Sequence, residues 1–323
     1  MREKMSTKSR LLQLLEQEKG NYLSGERLAE KLQVSRTAIW KAIQSLRQEG
    51  YAIQAVTNKG YALDKSNDVL CVKEILSGLE CSEAVVQVFR EIPSTSLVMK
   101  KMALEGRLPH GSVVVANEQT QGKGRKGREF YSPKDSGLYL SVLLYPEKTV
   151  KESLELTAEA AVAVCRAVEI CCGISLKIKW VNDLYLEEKK VCGILTEAVT
   201  DFETGEIEFV VVGIGLNLRP PEKGFPEDIQ KKAGAILKAG EFVDRNKLTA
   251  TIVNELLKET GKKGIPQEFI VRNLVPGRTI CIVQGSSRRR VKAKEILPDG
   301  RLRIYNEQDE EELLSGAEVS LEL

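Results

Sequence analysis

The chain has 323 residues, 42% hydrophobic and 29% charged, which is the balance of an ordinary globular protein of two or three domains. It has no apolar run of about 18 residues to suggest a membrane helix, and the charged start from Met1 to Arg10 lacks the apolar core of a secretory signal. Seven scattered cysteines without a CxxC, and a single histidine at His110, argue against a disulfide framework and a zinc site. The cysteines are expected to be small buried hydrophobes in a reducing, cytoplasmic compartment.

The net charge is only +2, but it is unevenly spread. Residues 1–65 hold 12 Lys plus Arg against 7 Asp plus Glu, leaving 36 basic and 39 acidic residues in the remainder. A basic N-terminal unit on a near-neutral body suits a nucleic-acid module joined to something else. In that unit Leu11, Leu12, Leu14 and Leu15 line one side of a first helix. Ser24 caps a second, whose inward face carries Leu28, Ala29 and Leu32, and Gln33-Val34 forms a short joint. Ser35 caps a third helix running to about Gln48, with Ile39, Ala42, Ile43 and Leu46 at helical spacing and Gly50 as the stop. Residues 51–55 and 60–63 read as strands around an Asn58-Lys59-Gly60 turn.

Three helices and a hairpin make a winged helix-turn-helix. Its third helix leaves Arg36, Thr37, Trp40 and Lys41 outward for a major groove, with Ser35 and Lys59 suited to phosphates. A small helical protein-interaction domain with a solvated charged face has the same pattern, though basicity and the short joint favour DNA. The segments Ser35-Arg36-Thr37-Ala38-Ile39-Trp40-Lys41 and Thr57-Asn58-Lys59-Gly60-Tyr61 resemble the N-terminal domain of the bacterial biotin operon repressors.

Residues 64–68 read as a linker. Beyond it, a helix is expected at 69–79, a strand around Val85, Val88 and Phe89, a helix at 96–104, and strands at 112–117 and 138–145, the last with apolar runs on both sides of Ser141. The strongest helical signal spans 150–170, where Leu154, Thr157, Ala158, Ala161, Val162 and Cys165 form an apolar stripe. Each such aliphatic side chain, fully buried, stabilises by about 1.5–3 kcal/mol, enough in sum to dock the helix on a sheet. Strands follow at 176–180, 184–186, 191–198 and 208–215, joined by hairpin-length links. That arrangement fits an α+β mixed sheet rather than a doubly wound parallel one.

Between two of these strands, residues 119–130 carry Gly122, Gly124 and Gly127 among Lys123, Arg125, Lys126 and Arg128. Glycines allow close backbone approach, and clustered cations and amides hold phosphate oxygens. The loop is neither a Walker loop nor a dinucleotide fingerprint, so a basic loop for RNA or DNA also fits. Lys179-Trp180-Val181-Asn182-Asp183 ends a strand in polar groups, and Lys190 opens the next, either as an active-site charge or as part of a surface turn. Gly213-Ile214-Gly215-Leu216-Asn217 either lines a ligand wall or permits a tight bend.

Singly these motifs are ambiguous. Ser94-Thr95, the 122–128 loop, 179–183, Lys190-Val191-Cys192-Gly193 and 213–217 occur together in the order and context of the biotin–protein ligases, and the resemblance covers nearly the whole chain. It implies a winged helix-turn-helix over 1–65, a mixed-sheet ligase domain of class II synthetase type over 66–272 and a small SH3-like β-barrel over 273–323. It further implies an ATP- and Mg²⁺-dependent ligase. Biotinyl-5'-AMP is formed, and biotin then passes to a lysine of the biotin carboxyl carrier protein of acetyl-CoA carboxylase or a related biotin-accepting domain.

By the same resemblance, Lys190, Arg125 and Arg128 are catalytic. Ser94, Thr95, Gln119, Gly122, Lys123, Gly124, Gly193, Leu195, Gly213 and Gly215, with Arg125 and Lys190, hold biotin. Phe130, Asn182, Asp183 and Asn217, with the catalytic cations, serve the nucleotide, and Mg²⁺ lies near Asp183. The physical task agrees, because a carboxylate and a phosphate at about 4 Å repel by roughly 4 kcal/mol at an effective dielectric near 20, which interposed cations remove. Lys123, Phe130, Ser96 and Val181 depart from the arginine, tryptophan, asparagine and proline usual in relatives; Lys123 keeps the charge without the bidentate geometry, and Val181 leaves its turn less pre-fixed.

After Asn217 a Pro-, Gly- and Lys-rich loop and a short helix are expected to residue 239, then a helix at 248–259 and a linker at 261–264. Short strands at 279–283, 291–296, 302–305 and 319–323 complete the barrel, with Pro298-Asp299-Gly300 as a turn. Arg288-Arg289-Arg290 reads as a hairpin tip countered by acidic residues 307–312 rather than as a nucleic-acid patch. The whole implies a biotin-responsive repressor that binds operator DNA as a ligand-promoted homodimer and has no membrane partner. A metabolite-sensing regulator without ligase activity, and a lipoate–protein ligase, are the alternatives.

Overall fold

The computed structural model describes residues 6–106, 108–146, 153–201, 203–238, 241–284, 287–316 and 320–322. The chain forms two compact units, Met1–Val69 with Phe242–Asp244, and Leu70–Glu241 with Arg245–Leu323.

The first unit contains α1 (Thr7–Gln17), α2 (Gly25–Leu32), α3 (Arg36–Gln48), β1 (Ile53–Val56) and β2 (Gly60–Leu63). Each helix starts at a serine whose hydroxyl accepts a main-chain N–H three residues on: Ser6 from Ser9 (3.2 Å), Ser24 from Arg27 (3.1 Å) and Ser35 from Ala38 (3.2 Å). Such caps are worth about 1 kcal/mol each. Gln33 ends α2 in the left-handed conformation, and Leu11, Leu15, Leu28, Ile39, Ile43 and Leu46 form the core. β1 and β2 pair antiparallel, and Leu23 bridges to Tyr61 beside them. Gly60, at φ +103°, is where a Cβ would lie 2.1 Å from the Leu23 carbonyl, so the wing accepts only glycine there.

The second unit comprises α4 (Val72–Gly78), β3 (Val86–Phe89), α5 (Thr95–Glu105), β4 (Val113–Ala116), β5 (Gly137–Leu144), α6 (Ser153–Cys172), β6 (Lys177–Lys179), β7 (Asp183–Leu186), β8 (Lys189–Thr200), β9 (Ile207–Asn217), α7 (Arg245–Glu259) and α8 (Gln267–Arg272). It ends with β10 (Thr279–Gln284), β11 (Ser287–Ile296), β12 (Leu302–Tyr305), β13 (Glu311–Leu314) and β14 (Ser320–Glu322).

Its seven-stranded sheet has the order β3-β4-β5-β9-β8-β7-β6. Only β3 and β4 pair in parallel, which makes the sheet mixed, as the hairpin-length links imply. β5 is buried along its whole length, as expected of a central strand with cover on its faces. α5 packs on β4, β5 and β9, and α6 on β7 and β8. The C-terminal strands form a five-stranded antiparallel sheet, β13-β12-β11-β10-β14. Its Gly300 turn is keyed to the larger sheet, where Trp180 Nε1 donates to Gly300 O at 2.9 Å and a Cβ at residue 300 would lie 2.7 Å from Leu154.

Several sequence expectations differ from the structure. Only Cys165 and Cys192 are buried, the other five cysteines being half-buried, and Arg288, Arg289 and Arg290 lie inside β11, paired with β10, rather than at a hairpin tip. The short helix expected before residue 239 is absent among the described residues, and 226–234 forms turns instead. Pro220, Pro221, Gly224 and Pro226 explain this, since proline supplies no N–H and glycine disfavours helix. α8 and β13 were not anticipated. α8 has only six residues, and the acidic start of β13 reads as solvated until its pairing with β12 is seen. Residues 150–152 of the expected long helix, and 319 and 323 of the expected last strand, lie outside the described residues.

An ionic cluster ties α6 to α7 and α8. Arg166 pairs with Glu259 and with Glu268 (2.7 Å), and Arg272 reaches Glu268 and Glu169 at 2.6 Å each. Burial alone would raise the Glu259 carboxyl, but bonds from Lys262 and Arg166 hold it below its ordinary 4.5. A depressed carboxyl stabilises the fold above its unfolded value, and that contribution fades as pH falls through the folded one. Urea denaturation should therefore show stability dropping below about pH 4.5. Arg166→Ala should cost roughly 3 kcal/mol at neutral pH and flatten that acid dependence.

Candidate active site and DNA-facing helix

The glycine-rich loop folds back on itself. Phe130 N donates to Gly122 O (2.9 Å), Gly124 N to Arg128 O (2.7 Å) and Arg128 N to Arg125 O (3.2 Å). At its tip Lys126 and Gly127 both have positive φ, 56° and 72°. Gly122 is needed for that fold, because a Cβ there would lie 2.3 Å from Phe130 O and 2.7 Å from Ser132 Oγ. Expected beside a ligand, Gly122 instead packs within the loop and does not line the cavity described next.

That cavity lies between the loop and the β8–β9 face. Ser94, Thr95, Gln119, Lys123, Gly124, Arg125, Arg128, Phe130, Asn182, Asp183, Lys190, Gly193, Leu195, Gly213 and Gly215 all line it. The sequence-predicted residues from 94 to 215 thus converge, with Gly122 as the exception. Its floor is a glycine pair, Gly193 opposite Gly215 on adjacent strands. A Cβ at Gly215 would lie 2.4 Å from the Phe130 ring, and one at Gly193 3.1 Å from it and 3.4 Å from Lys190 Nζ. The bare strip therefore seats an aromatic ring and a cation side by side.

The charges are partly paired. Lys190 Nζ lies 2.7 Å from Asp183 Oδ1. Arg125 donates to Asn182 Oδ1 (3.1 Å) and to the Gly316 carbonyl of the C-terminal region. Asn182 Nδ2 in turn donates to Ile194 O (3.0 Å). Burial lowers the pKa of Arg125, opposed by Asp183 and reinforced by the like charge of Arg128. A β-bulge beside Lys190 leaves Val191 and Cys192 both fully buried, which turns the lysine onto the open side.

The inner end of the cavity is polar, and its side chains bond to one another. Gln119 Oε1 accepts from Thr95 N (2.8 Å) and Oγ1 (3.1 Å), and its Nε2 donates to Ser132 Oγ (2.9 Å). Ser141 Oγ donates to Thr95 Oγ1 (2.8 Å) and lies 3.1 Å from Ser96 Oγ. A Cβ at Gly213 would sit 2.6 Å from Ser96 Oγ, so Gly213 leaves room for this hydroxyl pair. Ser132 and Ser141, buried behind the cavity where they hold Gln119 and Thr95, are residues that the sequence reading does not single out for the site. A lone serine inside an apolar strand was the available signal for Ser141, since a buried hydroxyl requires a partner. A wider groove adjoins the cavity and shares Arg128, Phe130, Asp183 and Lys190 with it. Asn217 borders this groove and not the inner cavity, and its Nδ2 donates to Gly234 O at 3.0 Å.

In the first unit, Ser35, Arg36, Thr37, Trp40 and Lys41 are exposed on or beside α3, and Lys59 is exposed on the wing. Trp40 leaves 52% of its surface in solvent, an unusual position for a large aromatic that the core does not use.

The family model for the biotin/lipoate A/B protein ligases matches residues 88–217, and a helix-turn-helix model matches residues 7–62. Over 238 residues the chain is 36% identical to the bifunctional ligase/repressor BirA of Bacillus subtilis, covering 73% of this chain and 72% of that protein. With BirA of Escherichia coli it is 33% identical over the same shares. The chain belongs to the BirA family of bifunctional ligase/repressors. A solved biotin protein ligase from Aquifex aeolicus, in complex with biotin and ATP, is 26% identical and superposes with a TM-score of 0.62, covering 74% of this chain and 98% of that one. The ligase match spans every cavity residue from Ser94 to Gly215 as well as Asn217 of the adjoining groove, and the helix-turn-helix match spans Ser35 to Lys59. The two family models thus match, separately, the segments that build the cavity and those that build the exposed helix.

Gly215→Ala should destabilise the second unit by about 1–3 kcal/mol in urea unfolding, because the new methyl meets the Phe130 ring. Adding Phe130→Ala should remove most of that penalty, and an additive double mutant would show that the ring does not rest on the glycine floor.

Proposed function

We infer that this chain is a biotin–protein ligase that also represses transcription. The carrying observation is that Lys190 and the 122–128 loop, from distant segments, line one cavity beside a buried polar end. Lys190 and Arg125 neutralise the biotin carboxylate and the α-phosphate of ATP as they approach. A carboxylate oxygen attacks the α-phosphorus, the bond to the β-phosphate bridging oxygen breaks, and pyrophosphate leaves. The acceptor lysine amine of a biotin carboxyl carrier domain then attacks the acyl carbon, and AMP departs. Family membership and the biotin-named relatives favour biotin over lipoate, although the matched family model spans ligases of both kinds.

In this reading Ser94, Thr95 and Gln119 meet the polar head of biotin, while Lys123, Gly124, Gly193, Leu195, Gly213 and Gly215 border it. Gly122 supports them through the loop. Phe130, Arg128, Asn182, Asp183 and Asn217 serve the nucleotide. Among the described residues no group of three acidic, Cys or His side chains forms a metal cage. Asp183 alone fits Mg²⁺ carried in on nucleotide phosphates, since Mg²⁺ keeps waters and needs one or two carboxylates. Bound there, Mg²⁺ would neutralise the leaving pyrophosphate.

Residues 1–65 act as the DNA-binding domain, 66–272 as the ligase domain and 273–323 as the SH3-like domain. Ser35, Arg36, Thr37, Trp40 and Lys41 meet the operator groove, and Lys59 meets a phosphate. Biotinyl-5'-AMP acts as corepressor by favouring a homodimer, and carrier protein competes for the same surface. A cytoplasmic location agrees with this chemistry. No helix among the described residues is long and apolar enough to cross a membrane.

Incubating a carrier domain with the protein, biotin and MgATP should give a streptavidin-detectable product. Lys190→Ala and Arg125→Ala should each slow its formation by about a hundredfold or more. An unmodified carrier, or a preference for lipoate, would overturn the reading. In gel shifts, biotin plus ATP should tighten operator binding, and Arg36→Ala should weaken it by about tenfold or more. Operator affinity indifferent to both ligands would remove the corepressor role.

A further inference from the structure

Lys190 lies where β8 loses its neighbour on one side while still pairing with Tyr185 of β7 on the other. β9 ends at Asn217, and its pairing with β8 stops at Leu216 opposite Cys192. On the β7 side the ladder is broken by the bulge at Val191. Lys190 N donates instead to Lys232 O, and Lys190 O accepts from Gly234 N, each at 2.8 Å. A parallel bridge thus joins Lys190 to Ala233. A turn some forty residues later in the chain takes over where β9 leaves off.

That turn is held by its own bonds, with Gln230 N to Pro226 O and Ala233 N to Ile229 O at 2.8 Å each. It is fastened from both sides. Lys189 Nζ donates to Lys231 O (2.7 Å) and Gln230 O (3.2 Å). Asn217 Nδ2 donates to Gly234 O (3.0 Å), while Asn217 O accepts from Ile236 N (3.1 Å). The fit is close, because a Cβ at Gly234 would lie 2.5 Å from Lys189 Cβ. Successive strand residues face opposite ways, so Lys189 reaches the turn while Lys190 reaches the cavity.

We propose that the 229–234 turn is a positioning element for Lys190, and that Lys189 is the positioning residue that fastens it. Lys189 does not line the cavity, so its influence passes through the turn to the main chain of its neighbour. The inference rests on the reading of Lys190 as catalytic. Reacting groups misplaced by about 1 Å lose up to about a hundredfold in rate, so a loosened turn has a kinetic cost.

The test is ATP–pyrophosphate exchange with the full-length protein, biotin and MgATP, paired with limited trypsin cleavage after Lys231 and Lys232. Lys189→Met should lower kcat by about tenfold with biotin KM changed less than about threefold, and should speed cleavage of the turn. Gly234→Ala should do the same by steric displacement. Lys189→Arg, which still reaches the two carbonyls, should restore both readouts. A Lys189→Met protein with wild-type exchange, or with slowed exchange but unchanged cleavage, overturns the inference. Wild-type exchange in a parallel Lys190→Ala protein overturns the underlying ligase reading instead.

Discussion

A strip of sheet without side chains organises the ligand cavity. Gly193 and Gly215 face each other across β8 and β9, and the Phe130 ring and the Lys190 ammonium lie over them. A Cβ at Gly215 would occupy the volume that the ring now fills, and one at Gly193 would press against it. The glycine-rich loop can reach down to the sheet only because that volume is free, and its cations come with it. Phe130 is thus the hinge point of the loop's anchorage, bonded through its main chain to Gly122 and through its carbonyl to Ser132.

The electrostatics follow from that close approach. Lys190 and Asp183 neutralise one another at 2.7 Å, and Arg125 is spread across Asn182 and Gly316. The excess positive charge of Lys123, Arg125 and Arg128 faces a partly enclosed space, where it acts on an anion more strongly than in water. The lining also carries the hydroxyls and amide of Thr95, Ser96 and Gln119, with Ser141 buried behind them. A ligand with a polar head and an anionic tail matches this polarity along its length. The contact of Arg125 with Gly316 and that of Trp180 with Gly300 explain why the C-terminal sheet clusters with the ligase sheet rather than standing alone.

Much of this was legible in the residues. The three serine caps, the helical spacing of Ile39, Ala42, Ile43 and Leu46, and the apolar stripe of α6 are local signals. The structure places their helices with ends shifted by a few residues at most. The mixed sheet followed from link lengths, which permit antiparallel neighbours without crossover helices. The cations of the 122–128 loop and Lys190 were also readable, but only as a set of motifs in order. What local pattern could not reveal was α8, β13 and the turns at 226–234, which are short or polar and depend on distant partners.

The sequence by itself determined which residues carry charge, which faces are apolar and where the chain must bend, because propensity, periodicity and capping act within a few residues. Tertiary structure alone decided the rest. It set Gly122 inside the loop and not against the cavity, made the Gly193–Gly215 pair a seat for Phe130, and gave Ser132 and Ser141 partners in the buried network. It also drew Asn217 toward Gly234 and supplied Lys190 with main-chain partners from a remote turn. The physical reason is that each of these depends on steric exclusion or hydrogen-bond pairing between segments far apart in the chain, and no local spacing encodes which segments will meet.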